Sequence, residues 1–401
     1  MDYNARRFFD NYEKGYYLVF DTETTLIEKD KSVYVCPPEF VAGVVYTEED
    51  RALDASNSRS FTDFYEKDSM ANFLKSHPSF PCILIGHNVC FDLLVIGITN
   101  LPELGNNFVW DTAIGEYEML GQAITYPSLQ QLANKYCPGE FKESSVSEMI
   151  KAGVCPSSIP KRNLLDYCRQ DVYLTRQIFV AQMKEFVNYP TNLQNLILQR
   201  MKYRMITHEM SCNGMWIDAS KMAAASRELE EEELLLEKSL RETMKLHMPG
   251  ADEVNPASNS QLAGVLYGEG AYKCVVSTPT GEFFKTGPNK GKVKLKKETL
   301  TMPYIRPLVG VLKSFSSVDE ESLKKILGSR SSTPECIDFV EKLLKYRTIS
   351  KERRTYFNGY LAVSVPVYGI HSSIHTEFKH TATPTGRISS SKPNIQNLKS
   401  D

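Results

Sequence analysis

The sequence predicts an α/β fold for the N-terminal part, followed by a mainly helical region and a short run of strands and turns. Three observations lead there. The first 190 residues alternate short apolar runs with helical patterns, as layered α/β domains do. Beyond them, apolar residues recur at helical spacing over long stretches. The last forty residues alternate like strands and are rich in turn formers.

In order, strands are expected at 16–20, 40–46, 82–86 and 108–110, and helices at 69–76, 112–120, 128–136 and 161–186. Pro190 then interrupts the pattern, because proline disfavours helix in the residue before it. Helical periodicity resumes over 193–212, is punctuated by Asn213-Gly214, and continues over 220–247. That last stretch is acidic with a leucine stripe and reads as a solvated helix face. Residues 278–297, rich in Gly, Pro and Lys, read as a mobile basic loop. Helices return at 318–328 and 334–361.

With 401 residues, 42% hydrophobic and 24% charged, the composition is that of a globular protein of two or three domains. No apolar run approaches the ~18 residues of a membrane span, and the N-terminus lacks the apolar core of a secretory signal. Nine cysteines occur without a Cys-x-x-Cys pair. That argues against structural zinc and a disulfide framework, and makes the cytoplasm the expected location. The net charge is −2, but residues 285–354 hold 17 Lys/Arg against 8 Asp/Glu, a local +9 that leaves −11 elsewhere. The basic stretch is either solvated surface or a face for phosphate.

Three stretches set acids at the ends of predicted elements. Asp21-x-Glu23 closes the first strand, and two adjacent carboxylates repel unless solvated or bridged by a cation. Asn88-x-x-Phe91-Asp92 follows another apolar strand. Asn88 and Asp92 share a face if a helix starts there, although this stretch by itself reads first as a helix start, with Asn88 as the cap and Asp92 complementing the helix N-terminus. Tyr167-x-x-x-Asp171 shares a face of the long helix, where Asp171 could instead pair with Arg169 or Arg176. His371 and His375 have the spacing of a zinc helix in a strand-like context and read as a chance pair.

Taken together and in this order, the three acidic stretches resemble the motifs of the DEDD superfamily of 3′–5′ exonucleases, in its tyrosine-bearing branch. The resemblance implies a ribonuclease H-like exonuclease domain with a mixed sheet over residues 1–190. It implies Asp21, Glu23, Asp92 and Asp171 as metal ligands and Tyr167 as the residue that orients the attacking water. Asn88 and Phe91 take supporting roles, and Thr22 and Thr24 are spectators. Two Mg²⁺ ions, or Mn²⁺ in their place, set about 3.5–4 Å apart can activate water and stabilise the leaving 3′-oxygen. Four carboxylates then balance four positive charges, and their mutual repulsion becomes binding energy for metal.

Near the far end, Thr383-x-Thr385-Gly386-Arg387-Ile-Ser-Ser and Pro393-Asn394-Ile-Gln396-Asn397 form a turn-rich segment with one Arg and several amides, side chains that suit base edges and the minor groove. The word order resembles the signature at the palm entry of family A DNA polymerases, with Lys399 where that family usually has Pro. Asn213-Gly-Met-Trp-Ile-Asp218, the stretch from Asn255 to Gln261, and Tyr346-Arg347 with Lys351 resemble upstream segments of the same family. The basic 278–297 insert resembles phage replicative members. The resemblance implies a helical linker and thumb over 191–365 and an incomplete palm over 366–401. Arg347 and Lys351 would meet the duplex backbone, Arg387 the primer end from the minor groove, and Thr385, Asn394, Gln396 and Asn397 would bind DNA. The expected partners are DNA, as a single-stranded 3′ end and as primer-template duplex, and a C-terminal polymerase subunit carrying the palm carboxylates and the fingers helix with Lys and Arg. No membrane partner is expected, and a phage-encoded chain would work in the host cytoplasm. The competing readings are a stand-alone DEDD exoribonuclease and a non-catalytic DNA-clamping subunit.

Overall fold

The computed structural model describes residues 4–47, 60–76, 82–139, 144–283, 291–309 and 317–398. The chain packs as two compact units, Met1–Ile217 with Val363–Asp401, and Asp218–Ala362.

In the first unit, α1 (Ala5–Glu13) leads into β1 (Tyr17–Thr24), which pairs antiparallel with β2 (Phe40–Thr47), itself antiparallel to β3 (Ser60–Phe64). After α2 (Lys67–Ser76), β4 (Ile83–Gly86) runs parallel to β1. Then α3 (Val89–Val95) leads to β5 (Phe108–Asp111), parallel to β4. The sheet is therefore mixed, with order β3-β2-β1-β4-β5. Five helices follow: α4 (Thr112–Met119), α5 (Leu129–Tyr136), α6 (Ser144–Lys151), α7 (Lys161–Phe186) and α8 (Thr191–Asn213). Pro190 stands as the N-cap of α8, and Gly214 ends that helix at φ +70°, a conformation that glycine adopts without steric cost.

The sheet buries both faces. Tyr17, Val19, Val44 and Trp110 pack with α1, α7 and α8, whereas Leu18, Phe20, Val45 and Leu84 pack with α2 and α3. Burial on both sides explains why the parallel strands read as continuous apolar runs rather than alternating ones. Trp110 is fully buried, so its indole N–H needs a partner, and it donates to Gln182 Oε1 at 2.9 Å.

A short strand, β6 (Met215–Asp218), precedes the second unit. That unit is built on α9 (Ala219–His247), α10 (Asn259–Tyr267), the hairpin of β7 (Ala271–Phe283) and β8 (Val293–Pro303), α11 (Glu320–Leu327) and α12 (Pro334–Lys351). Leu240, Met244, Leu262, Leu323, Phe339 and Leu343 form its core. Two expectations change here. The basic stretch 278–297 is not simply a loop: residues on both sides of 284–290, which lie outside the described residues, pair as antiparallel strands. Val275, Val276, Val293 and the threonines supply β-propensity that the Gly, Pro and Lys content obscured. The acidic helix α9 is also not wholly solvated. Glu233 is buried and accepts from Arg353 Nε at 2.6 Å and Arg354 Nη2 at 3.2 Å. Both arginines sit in a π-helical stretch, Glu352–Asn358, that continues α12 into α13 (Gly359–Val363).

The chain returns to the first unit as β9 (Val365–Tyr368) and β10 (His371–Ile374), which form a sheet of order β6-β10-β9. The separate pair β11 (Glu377–Lys379) and β12 (Ser389–Ser391) follows. No helix of the described residues is long and apolar enough to cross a membrane.

Two histidines of this unit make its stability pH-dependent. Burial pushes His208 down to about 4 and His380 down to about 3. His208 Nε2 bonds Ile98 O at 2.9 Å, and His380 Nε2 bonds Thr207 Oγ1 at 2.7 Å. Because the folded pKa lies below the unfolded one, the unfolded chain gains protons first as pH falls below about 6.5. Stability present at neutral pH is then lost, at roughly 1.4 kcal/mol per pH unit for each histidine. Urea unfolding at pH 7 and pH 5 should show a lower midpoint at pH 5, and His380→Gln should lessen that drop.

Candidate active site

Side chains alternate along a strand. In β1, Tyr17 and Val19 point to the α7 side, and Leu18 and Phe20 to the α2–α3 side. Continuing the alternation sets Asp21 and Glu23 on the α7 face and Thr22 on the other. The parallel pairing of β1 with β4 runs only from Tyr17↔Ile83 to Val19↔Ile85. Beyond it, α3 supplies a side chain in place of a strand. Thr22 donates both its backbone N–H (3.0 Å) and its hydroxyl (2.6 Å) to Asp92 Oδ1. Asp92 is thereby tied to the strand that carries Asp21 and Glu23.

The long helix α7 closes the site from the opposite face of the sheet. Tyr167, Cys168 and Asp171 are buried in its inner stripe. The Cys168 thiol donates to Asp21 O at 3.5 Å, and Asp21 Oδ2 lies 3.8 Å from the same sulfur. One ligand atom from each of Asp21, Glu23 and Cys168 fits within 4.8 Å of the others. Burial, together with the charges of Asp21, Glu23, Asp171 and Asp92, holds the Cys168 thiol well above its usual range. Asp92 and Asp171 fall outside that 4.8 Å group.

The donor set fits a hard divalent cation. Carboxylate oxygens suit Mg²⁺, whereas a thiol kept protonated is a poor ligand. Burial pushes Asp92 up to about 7, against the Thr22 hydrogen bonds that pull it down. A cation among these acids reverses that tendency and favours the carboxylate.

Thr22 is therefore no spectator: it positions Asp92. The alternation that points it away from Asp21 is visible in the sequence, but its partner seventy residues on is not. Asn88 is the N-cap of α3 in left-handed conformation (φ 60°, ψ 45°), and its side chain makes no cap bond. The cap comes from Asp111 at the end of β5, which accepts from Asn88 N and Val89 N at 3.1 Å each. The same carboxylate caps α4 through Ala113 N at 3.0 Å. Asp111 thus anchors the start of the helix that carries Asp92, a role no sequence signal marked. Asn88 and Phe91 line a cavity of about 460 Å³ with Tyr34, Arg204, Phe378 and Lys392. Arg204 spans it, donating to Asn88 Oδ1 at 3.4 Å and Phe378 O at 3.3 Å.

The surface pairings of α7 are also clear. Arg169 bonds Asp63, and Asp166 at 2.6 Å, while Arg176 lies over the Tyr46 ring at 5.0 Å. His375 bonds Ser373 Oγ at 2.8 Å and Ser211 O at 2.9 Å. Among the described residues, no metal-holding group includes His371 or His375.

The residues expected at DNA fall in both units. In the second, Arg347 turns inward to Val318 O and to Asn259 Oδ1 at 2.9 Å, whereas Lys351 is exposed. In the first, the turn 383–397 is held by its own side chains. Asn394 Oδ1 accepts from Ser390 Oγ (3.2 Å) and Gln396 N (3.0 Å), and Gln396 Nε2 donates to Ile388 O at 3.1 Å. Thr385 Oγ1 lies 3.4 Å from Thr383 Oγ1. Arg387 and Asn397 are exposed. Lys399 lies outside the described residues.

Residues 294–401 of the chain match DNA polymerase family A. Its curated relatives include DNA polymerase I of Synechocystis sp., 26% identical over 80% of this chain, and DNA polymerase I of Pseudomonas aeruginosa, 23% identical over 96%. The chain spans 27% and 37% of the length of those two relatives. In fold it is similar to the POL domain of Pol1 from M. smegmatis, solved in complex with DNA primer-template and dNTP. The TM-score is 0.58 at 17% identity, over 99% of this chain and 55% of that one.

Proposed function

We propose that the N-terminal part is a metal-dependent 3′–5′ exodeoxyribonuclease of the DEDD, ribonuclease H-like type, proofreading for family A DNA synthesis. The observation that carries this reading is the cluster of Asp21 and Glu23, whose ligand atoms fit within 4.8 Å, with Asp92 tied to the same strand through Thr22. The mixed order β3-β2-β1-β4-β5, with β2 reversed, agrees with it.

Asp21, Glu23, Asp92 and Asp171 hold Mg²⁺ in this reading, and the bound metal supplies Lewis-acid stabilisation of developing charge. Tyr167, whose hydroxyl both donates and accepts, orients the attacking water. The water oxygen bonds to phosphorus, the P–O3′ bond breaks, and a nucleoside 5′-monophosphate leaves. The water proton passes to solvent, and the released 3′-oxygen takes one up. Asn88, Phe91 and the cationic, aromatic cavity beside them receive the frayed 3′ nucleotides. Arg387 and the turn around it, with Lys351, bind primer-template. The inward bonds of Arg347 give it a supporting place behind Lys351. Nucleotidyl transfer needs palm and fingers residues that these 401 positions do not carry. In this reading polymerase activity comes only with polypeptide that supplies them, in a second chain or in continuation of this one.

The test is digestion of 3′-tailed DNA and RNA, 5′-labelled, in Mg²⁺ or EDTA. Stepwise, EDTA-sensitive loss of 3′ nucleotides from DNA supports the reading. Activity on RNA alone supports an exoribonuclease, and an inert wild type supports a clamping subunit.

A further inference from the structure

The β7–β8 hairpin has two unlike faces. Its register pairs Tyr272 with Met302 and Cys274 with Leu300 on one face, and Lys273 with Thr301, Val275 with Thr299, Ser277 with Lys297 and Pro279 with Leu295 on the other. The first face is anchored at its base: Tyr272 is buried in the core of the second unit and Cys274 packs against it. That face also holds its own counter-charges, since Lys296 pairs with Glu298 at 2.7 Å and Lys294 with Glu282 at 3.0 Å.

The second face differs in each respect. Lys273, Ser277, Lys297, Thr299 and Thr301 are exposed, and Leu295 keeps 58% of its surface. Lys273 and Lys297 make no ion pair among the described residues, and no acid occupies any of the four rungs of this face. Two ammonium groups and three hydroxyls suit a polyanion: lysine binds phosphate as a point charge, and Ser/Thr hydroxyls donate to phosphate oxygens. One acid, Asp252, lies beside Lys273 at the base of the hairpin, and its backbone N–H donates to Lys273 O at 3.0 Å. The lysine rungs are four residues apart, roughly 13 Å at about 3.3 Å per residue. The DNA major groove is about 12 Å wide and admits a two-stranded ribbon. A two-stranded ribbon is marginal alone in water, so seating this face on a partner also favours the hairpin.

We propose that the Lys273–Lys297 face of the hairpin is a sequence-independent contact for duplex DNA, the two lysines bonding phosphates on either side of a groove. The proposal rests on the DNA-binding reading above and adds a contact surface outside both the acidic site and the 383–397 turn.

The test uses the full chain and a fluorescein-labelled mixed-sequence duplex, with anisotropy titrations from about 50 to 200 mM KCl. Each phosphate contact contributes about 0.9 to the slope of log K against log salt. Lys273→Ala/Lys297→Ala should therefore lower the slope by about 1.8, and the wild-type advantage should shrink about tenfold across that range. Lys273→Arg/Lys297→Arg should keep the slope, as should Lys294→Ala/Lys296→Ala on the opposite face. A slope unchanged in the Lys273/Lys297 double alanine variant, with wild-type binding intact and circular dichroism unaltered, overturns the hairpin contact alone. Failure of wild type to bind any duplex overturns it together with the DNA-binding reading. Removal of 3′ nucleotides from single-stranded DNA should be equal in all four proteins.

Discussion

Asp21→Ala/Glu23→Ala should abolish removal of 3′ nucleotides while the chain still folds. The expected loss is about 10³-fold or more, because Lewis-acid stabilisation is worth several kcal/mol and each 1.36 kcal/mol is tenfold in rate. Folding should survive, for a physical reason. Asp21 and Glu23 lie side by side on one strand face, Glu23 is buried, and Asp92 is tied to the same strand through Thr22. In the absence of a cation, these acids repel one another and bear a desolvation cost. Removing two relieves both. In EDTA the double variant should therefore melt at or above the wild-type temperature. Mg²⁺ should raise the melting temperature of wild type but not of the variant, since only a ligand that binds the native state stabilises it. A variant that keeps its activity, or whose melting responds to Mg²⁺ like wild type, would remove these two acids from the metal site.

The second large effect is expected at Asp111. One buried carboxylate accepts the first amides of α3 and α4 together. Asp111→Ala strips two helix caps, each worth about 1 kcal/mol, and strands buried N–H groups at about 1–3 kcal/mol apiece. Roughly 3 kcal/mol or more of stability should go. Because α3 carries Asp92, exonuclease activity should also fall by about 10–100-fold, as for residues that orient metal ligands. Asp111→Asn keeps one acceptor oxygen and should lie between. Urea unfolding and the digestion assay, run on both variants, check this. An alanine variant of wild-type stability would show that the caps carry no energy.

What the sequence made legible follows from chemistry that is local. The apolar run before Asn88-x-x-Phe91-Asp92 marks the end of β4, because burial and charge change over a few residues, whereas β1 does not end at residue 20 as expected but runs through Asp21 and Glu23 to Thr24, where pairing with β2 continues the strand. The α7 helix, Lys161–Phe186, has the bounds its periodicity indicates, since its inner stripe is long and nearly unbroken. Pro190 and Asn213-Gly214 punctuate α8 for backbone reasons that need no tertiary context. What stayed hidden depends on distant partners. Thr22 looks like any strand threonine until Asp92 is seen beside it. Asp111 looks like the cap of its own helix, and only the fold discloses that it caps α3 as well. Glu233 belongs to an acidic run whose other members are largely exposed, and Arg353 and Arg354 single it out from more than a hundred residues away. The hairpin was obscured because Gly, Pro and Lys around its tip outweighed the β-branched residues of its arms.

Asp21, Glu23, Asp92 and Asp171 should share one metal site. Anomalous scattering from crystals of the chain grown with Mn²⁺ tests it most directly. Manganese should be bound by oxygens of all four side chains, with Cys168 outside the coordination shell. Ordered crystals that show no ion there at saturating Mn²⁺, or an ion held without Asp171, would contradict it.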